Sequence, residues 1–195
     1  MSAATKTAAA IFMTTIKGTV GLRAKIYGLN LFAGNQIAAA QVPLIKDKGN
    51  ALEVFAASMV YTEATGIGGN LAVGHSVIST GLVPSIDLAL NDAHFGLYLR
   101  TKVAGENAVV IGCTDGNSIY YNFPPAGTTI VVAMYSGGND LTVADSTQIG
   151  HYVASRGGSG LVLYRNGTSF GTNAAPAGAL PARGMSVCAG AQGAN

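Results

Sequence analysis

Beyond residue 50 the sequence runs as short apolar stretches, each closed by turn-forming residues. No other feature constrains the fold as strongly. HFGLYLRT (94–101), SIYYNF (118–123), TTIVVAMY (128–135), HYVASR (151–156) and LVLYR (161–165) have strand length. Between them stand Asp115-Gly116-Asn117, Pro124-Pro125, Gly137-Gly138-Asn139-Asp140, Gly157-Gly158-Ser159-Gly160 and Asn166-Gly167. Many short strands spaced about ten residues apart, each ended by turn chemistry, predict an all-β fold, a two-sheet antiparallel β-sandwich or jelly roll. In 94–101 the alternation is clean, with Phe95, Leu97 and Leu99 on one face and His94, Gly96, Tyr98 and Arg100 on the other. LEVFAASMVY (52–61) is almost continuously apolar and reads as a strand covered on both faces. Asn166-Gly167 is the sharpest cue, because both central residues of a type I′ hairpin turn need positive φ. The same residues with Thr168 form a glycosylation sequon, but the hairpin explains them without a sugar.

The first 50 residues have a different texture. They hold six of the eleven basic residues, Lys6, Lys17, Arg23, Lys25, Lys46 and Lys48. Ser2 to Met13 is alanine-rich with a serine placed to cap it, so it reads as a helix. NQIAAAQ (35–41) reads as a second, stopped by Pro43. At most two short helices are expected, both before residue 50. The apolar stretch Ala8 to Met13 is shorter than the ~7–15 residues of a secretory leader, so none is expected. Residues 1–16 are expected to form an arm and 17–195 the β-domain, with IKDKGN (45–50) as a solvated turn. Ile11, Phe12, Met13 and Ile16 give the arm an apolar patch whose burial would offset its ordering cost, so they are candidate assembly residues.

Composition narrows function. Charged residues make up 10% of the chain, against about 25% in an average domain. The net charge of +2 offers no basic field for nucleic acid, and no apolar run is long enough for a membrane helix. Hydrophobic residues at 49% exclude global disorder. None of the nine acids, Asp47, Glu53, Glu63, Asp87, Asp92, Glu106, Asp115, Asp140 and Asp145, has another two to four positions away. That argues against the paired carboxylates of a glycoside hydrolase. His75, His94 and His151 are too far apart in sequence for a zinc motif. No Gly-x-Ser-x-Gly elbow occurs, and Gly66-Ile67-Gly68-Gly69 reads as a turn rather than a phosphate cradle. Neither a catalytic residue nor a cofactor is therefore expected. Cys113 and Cys188 read as small buried hydrophobes, with a single bridge left open. Sugar binding keeps a candidate set: Tyr98 and Arg100 on an outward strand face, with Tyr120, Tyr121 and Asn122 on another strand.

From about residue 52 to 190 the chain resembles the concanavalin A-like (laminin-G-like) lectin/glucanase jelly rolls of bacteriophage tail and other virion proteins. VISTGLVPS (77–85), NDAHFGLYLRT (91–101), IGHYVASR (149–156) with LVLYRNGTS (161–169), and GMSVCAG (184–190) carry the likeness. The resemblance implies a jelly-roll β-sandwich. Because the clustered acids of catalytic members are missing, it implies a binding or structural member. The expected function is a non-enzymatic protein on the virion exterior, a capsid decoration (cement) protein. Its expected partners are copies of itself, with a trimer among the options, and a major capsid or tail protein. A receptor-binding tail protein holding host-surface glycan is the alternative, and a secreted polysaccharide-cleaving enzyme the third reading.

Overall fold

The computed structural model describes residues 2–31, 36–48, 54–55, 59–62, 66–69, 78–100, 108–124, 127–135 and 139–187. Strand residues outnumber helical ones more than two to one, and the sheets are antiparallel. The chain divides into two compact units, residues 1–81 and 82–195.

In the first unit, α1 (Ala3–Gly18) begins where the sequence places a cap: Ser2 Oγ accepts from the Thr5 N–H at 3.2 Å. The helix runs on to Gly18, past the arm boundary expected at residue 16, and it buries Ile16. The second helix, α2 (Ile37–Ala40), is a single turn. β1 (Gly28–Leu29) pairs with β2 (Ile45–Lys46), so part of the turn expected at 45–50 is strand, and Ile45 is buried. Asp47 next to it accepts from Arg23 at 2.6 and 2.8 Å. The strand expected over 52–61 is described as two pieces with different partners. β3 (Val54–Phe55) pairs with β6 (Ile78–Ser79), and β4 (Met59–Thr62) pairs with β5 (Gly66–Gly69). Gly66–Gly69 is therefore strand rather than turn, its backbone paired along all of β4. Continuous apolarity shows that a segment is buried, but not where its pairing changes.

The second unit opens with α3 (Pro84–Asp87), a one-turn helix that corrects the expectation of helices only before residue 50. Pro84 sits in its first turn, and the Asp87 carboxylate accepts from the Val83 N–H at 2.8 Å. β7 (Ala93–Leu99), β8 (Ala108–Thr114), β9 (Ser118–Phe123), β10 (Thr129–Met134), β11 (Leu141–Ala144), β12 (Gly150–Gly157), β13 (Gly160–Arg165), β14 (Thr168–Asn173) and β15 (Ser186–Val187) follow. One sheet has the order β11-β10-β9-β8-β15, and the other the order β14-β13-β12-β7. The chain thus crosses from β7 to the four-strand meander β8–β11, returns for β12–β14, and crosses again to β15. Ile119, Tyr121, Phe123, Ile130, Val132 and Met134 of the first sheet share one core with Ala93, Tyr152, Ala154, Leu161 and Leu163 of the second. Each large apolar side chain so enclosed contributes about 1.5–3 kcal/mol, so this core is the main source of the unit's stability.

The turns follow the residue chemistry. Asp115 Oδ1 accepts from the Asn117 N–H at 3.3 Å across the β8–β9 turn, with Gly116 at φ +100°. Arg165 pairs with Thr168, leaving Asn166 (φ +50°) and Gly167 (φ +82°) as a two-residue type I′ hairpin. A Cβ on Gly167 would meet nothing within 4 Å, so only backbone strain opposes substitution there. Gly167→Val is expected to lower stability by about 1 kcal/mol or more, read as a lower denaturation midpoint. An unchanged midpoint would contradict the turn assignment.

Candidate functional site

Alternation along β7 and β12 builds an exposed surface on the outer side of the four-stranded sheet. Tyr98, 68% exposed, lies directly across from His151, Gly96 from Val153, and His94 from Ser155. On the next strand Tyr164 lies opposite Val153. Gly96 keeps the centre of this face low. A Cβ there would lie 2.9 Å from the Tyr152 carbonyl oxygen and 3.8 Å from the His151 ring nitrogen. The result is a shallow surface bearing two phenols and two imidazoles. Arg100 is exposed just beyond β7, on the same side by parity. Aromatic faces with polar edges suit stacking and hydrogen bonding to a neutral polar ligand.

The five residues proposed for sugar binding do not meet. Tyr98 and Arg100 belong to the face just described, whereas Tyr120 and Asn122 lie on the far side of the other sheet. Tyr120 is half-buried and donates its hydroxyl to the Asp140 carboxylate. Burial first, then that carboxylate, push its pKa above the usual phenol value. Asn122 is buried, and among the described residues no group donates to its Oδ1. Tyr121 is a correction: it is fully buried, 4.6 Å from the Phe95 ring, with its hydroxyl donating to the Phe95 carbonyl at 3.2 Å. It supports the core and cannot touch a ligand. His151 and Tyr164 were missed, because the pairings that put His151 across from Tyr98 and Tyr164 in the same row as Gly96 join β7 to strands far from it in sequence.

Among the described residues of the second unit, two charged side chains are buried, Asp145 and Arg156. Asp145 Oδ1 accepts from the Thr147 and Gln148 N–H groups, each at 3.0 Å, and from Thr147 Oγ1 at 2.8 Å. Its Oδ2 accepts from the Tyr152 hydroxyl at 2.7 Å, and Arg165 lies 3.3 Å from Oδ1. Burial alone would raise the Asp145 pKa, but these donors outweigh it and hold the carboxyl below the usual range. The folded pKa is thus below the unfolded value of about 3.9, so this stabilisation is present above that pH and lost as pH falls through the folded value. Asp145→Asn is expected to flatten the loss of stability as pH falls below about 4, measured by denaturant midpoints. An equally steep loss in wild type and variant would contradict the assignment. Arg156 is the second group, and among the described residues its guanidinium hydrogen-bonds to backbone carbonyls, those of Met134 and Ala175.

Other expected candidates have plain positions. Cys113 is half-buried and a free thiol among the described residues, pushed up to about 12 by burial and then by Asp115. Cys188 and His75 lie outside the described residues. Among the described residues no three His, Cys, Asp or Glu side chains converge as a metal site. No helix there is long and apolar enough to cross a membrane.

On α1, Ile16 is buried and Met13 half-buried, while Ile11 and Phe12 are 63% and 43% exposed. Among the described residues, eight of the twelve exposed large hydrophobic side chains fall before residue 45: Ile11, Phe12, Val20, Leu22, Tyr27, Leu31, Val42 and Leu44. Exposed apolar side chains are thus concentrated, among the described residues, in the N-terminal part of the chain. No family model, curated protein or solved structure matches the chain.

Proposed function

We propose that the chain is a non-enzymatic structural protein on the exterior of a bacteriophage particle, a capsid decoration (cement) protein, with a jelly-roll β-unit. The observation that carries the structural role is the set of exposed apolar side chains in the first 44 residues. Water-exposed apolar surface of this kind marks contact with another protein surface. A charge content of 10% supports the same reading, since charge-poor surfaces permit close packing among many copies. The phage setting itself rests on the resemblance of residues 52–190. Quantitative mass spectrometry of purified particles tests the proposal, and hundreds of copies per particle are expected. A few copies would favour a tail role, and absence from particles would overturn both.

The second reading is a receptor-binding tail protein. Tyr98, 68% exposed and directly across from His151, is the observation that favours it. Under that reading a host-surface glycan stacks on Tyr98, and Tyr98→Ala removes binding to host cells without changing particle composition.

A further inference from the structure

We infer that two copies of the chain pair edge to edge through β7, antiparallel about a two-fold axis at Gly96. The contact goes beyond the particle reading and stands without it. The two edges of the four-stranded sheet are built differently. β14 breaks register with β13 between Leu163 and Tyr164, and it lies against β11, where a Cβ on Gly171 would come 2.5 Å from Val143 Cγ2. A bulged edge folded onto the other sheet is a poor template for a further strand. β7 forms the opposite edge, and among the described residues it pairs with β12 and with no second strand. It runs seven residues in unbroken register, without proline or lysine, and its core-facing residues carry no charge. Those residues, Phe95, Leu97 and Leu99, are only half-buried, whereas Tyr152, Ala154, Leu161 and Leu163 on the inner strands are buried. The core is thus left open along β7, and a strand added there would close it.

The sequence of β7 specifies what that added strand is. Self-pairing about Gly96 sets Phe95 opposite Leu97 of the second copy, His94 opposite Tyr98 and Ala93 opposite Leu99. It also sets Asp92 opposite Arg100 and, by symmetry, Arg100 opposite Asp92, one ion pair at each end. Both residues are exposed, lie just beyond the two ends of β7 on its outer side by parity, and have no ion-pair partner among the described residues. Moving the axis by one residue sets Asp92 against Tyr98, or Arg100 against His94, and loses both ion pairs. The match of charge and register is therefore particular to the Gly96 axis. Two glycines face each other there, so no side chain on the two-fold blocks close approach of the strands.

Charge exchange tests both the contact and its register. Asp92→Arg leaves an arginine at each end of β7, and Arg100→Asp leaves an aspartate at each end. Both alter exposed positions, so wild-type far-ultraviolet circular dichroism is expected. In sedimentation velocity at low salt the wild type is expected to be a dimer. Each variant alone is expected to associate at least about tenfold more weakly, because like charges then meet at both ends. An equimolar mixture of the two is expected to regain wild-type association, since arginine again faces aspartate at both ends. Equal association of the wild type and either variant, or a mixture as weak as its components, overturns the inference. So does a wild type that is monomeric, trimeric or polymeric. Hydrogen exchange of the wild type adds a check that needs no variant. Amides within 93–99 are expected to exchange more slowly at dimer concentrations than after dilution, and unchanged exchange there overturns the pairing. Monomeric protein found at hundreds of copies per particle overturns this contact alone, whereas a dimer absent from particles overturns the proposed function alone.

Discussion

Arg156→Ala is expected to be among the most destabilising single substitutions in the second unit. Arg156 is 2% exposed, with Nε and Nη2 donating to the Met134 carbonyl at 3.0 and 2.9 Å and Nη1 to the Ala175 carbonyl at 2.7 Å. It ties the end of β10 to the chain that follows β14. Among the described residues no carboxylate pairs with it, and burial, only partly countered by Tyr135, lowers its pKa. Alanine would leave a cavity worth about 2–5 kcal/mol and two carbonyls without donors, at about 1–3 kcal/mol each. A loss of at least about 4 kcal/mol is expected, a large share of the ~5–15 kcal/mol of a typical domain. Arg156→Met keeps most of the volume and removes the desolvated charge, so it should cost less than alanine. Urea midpoints of the two variants measure this. An alanine variant within about 1 kcal/mol of wild type would contradict the role given to Arg156.

Gly112→Ala is expected to be nearly as damaging, for a different reason. Gly112 sits in β8 at φ +151°, and its Cβ would press on the Ile119 carbonyl oxygen and lie 2.5 Å from Tyr120 Cβ and 2.6 Å from Tyr120 Cα. Two of those contacts are backbone atoms of the paired strand, so relief requires β8 and β9 to separate. Backbone strain and overpacking together are expected to cost about 3 kcal/mol or more. The contrast with Gly167, where a side chain meets open space, is the internal control. If the two glycines respond equally in thermal denaturation, the close approach of β8 to β9 is not as described.

Local patterns in the sequence carried much of this fold, and long-range ones carried little. The alternation of β7, the Asn166-Gly167 hairpin and the Ser2 cap each depend on neighbouring residues, so they were legible. Tyr120-Tyr121-Asn122 shows legible information left unused, because consecutive strand residues cannot share a face. Parity alone puts Tyr121 on the side opposite Tyr120. Parity also points Arg156 inward with Tyr152 and Ala154, against the usual exposure of arginine. The α3 turn needed more than pattern, since four residues give no periodicity and its cap closes only when Asp87 folds back onto Val83. Cross-strand register was out of reach. Tyr98 meets His151 through a pairing of distant segments that no local rule specifies. The division of 52–61 between two pairings was hidden for the same reason.

Burial of Ile16 also changes how the N-terminal segment should be probed. Removing residues 2–16 would delete a core side chain along with the exposed ones, so a point change at Phe12 is cleaner. The most direct test of the account is re-addition of purified protein to particles stripped of it, with bound protein quantified. Phe12→Glu is expected to lose occupancy while Tyr98→Ala binds as fully as wild type, because attachment is assigned to α1 and not to the outer sheet face. Full occupancy by Phe12→Glu together with loss by Tyr98→Ala would contradict it.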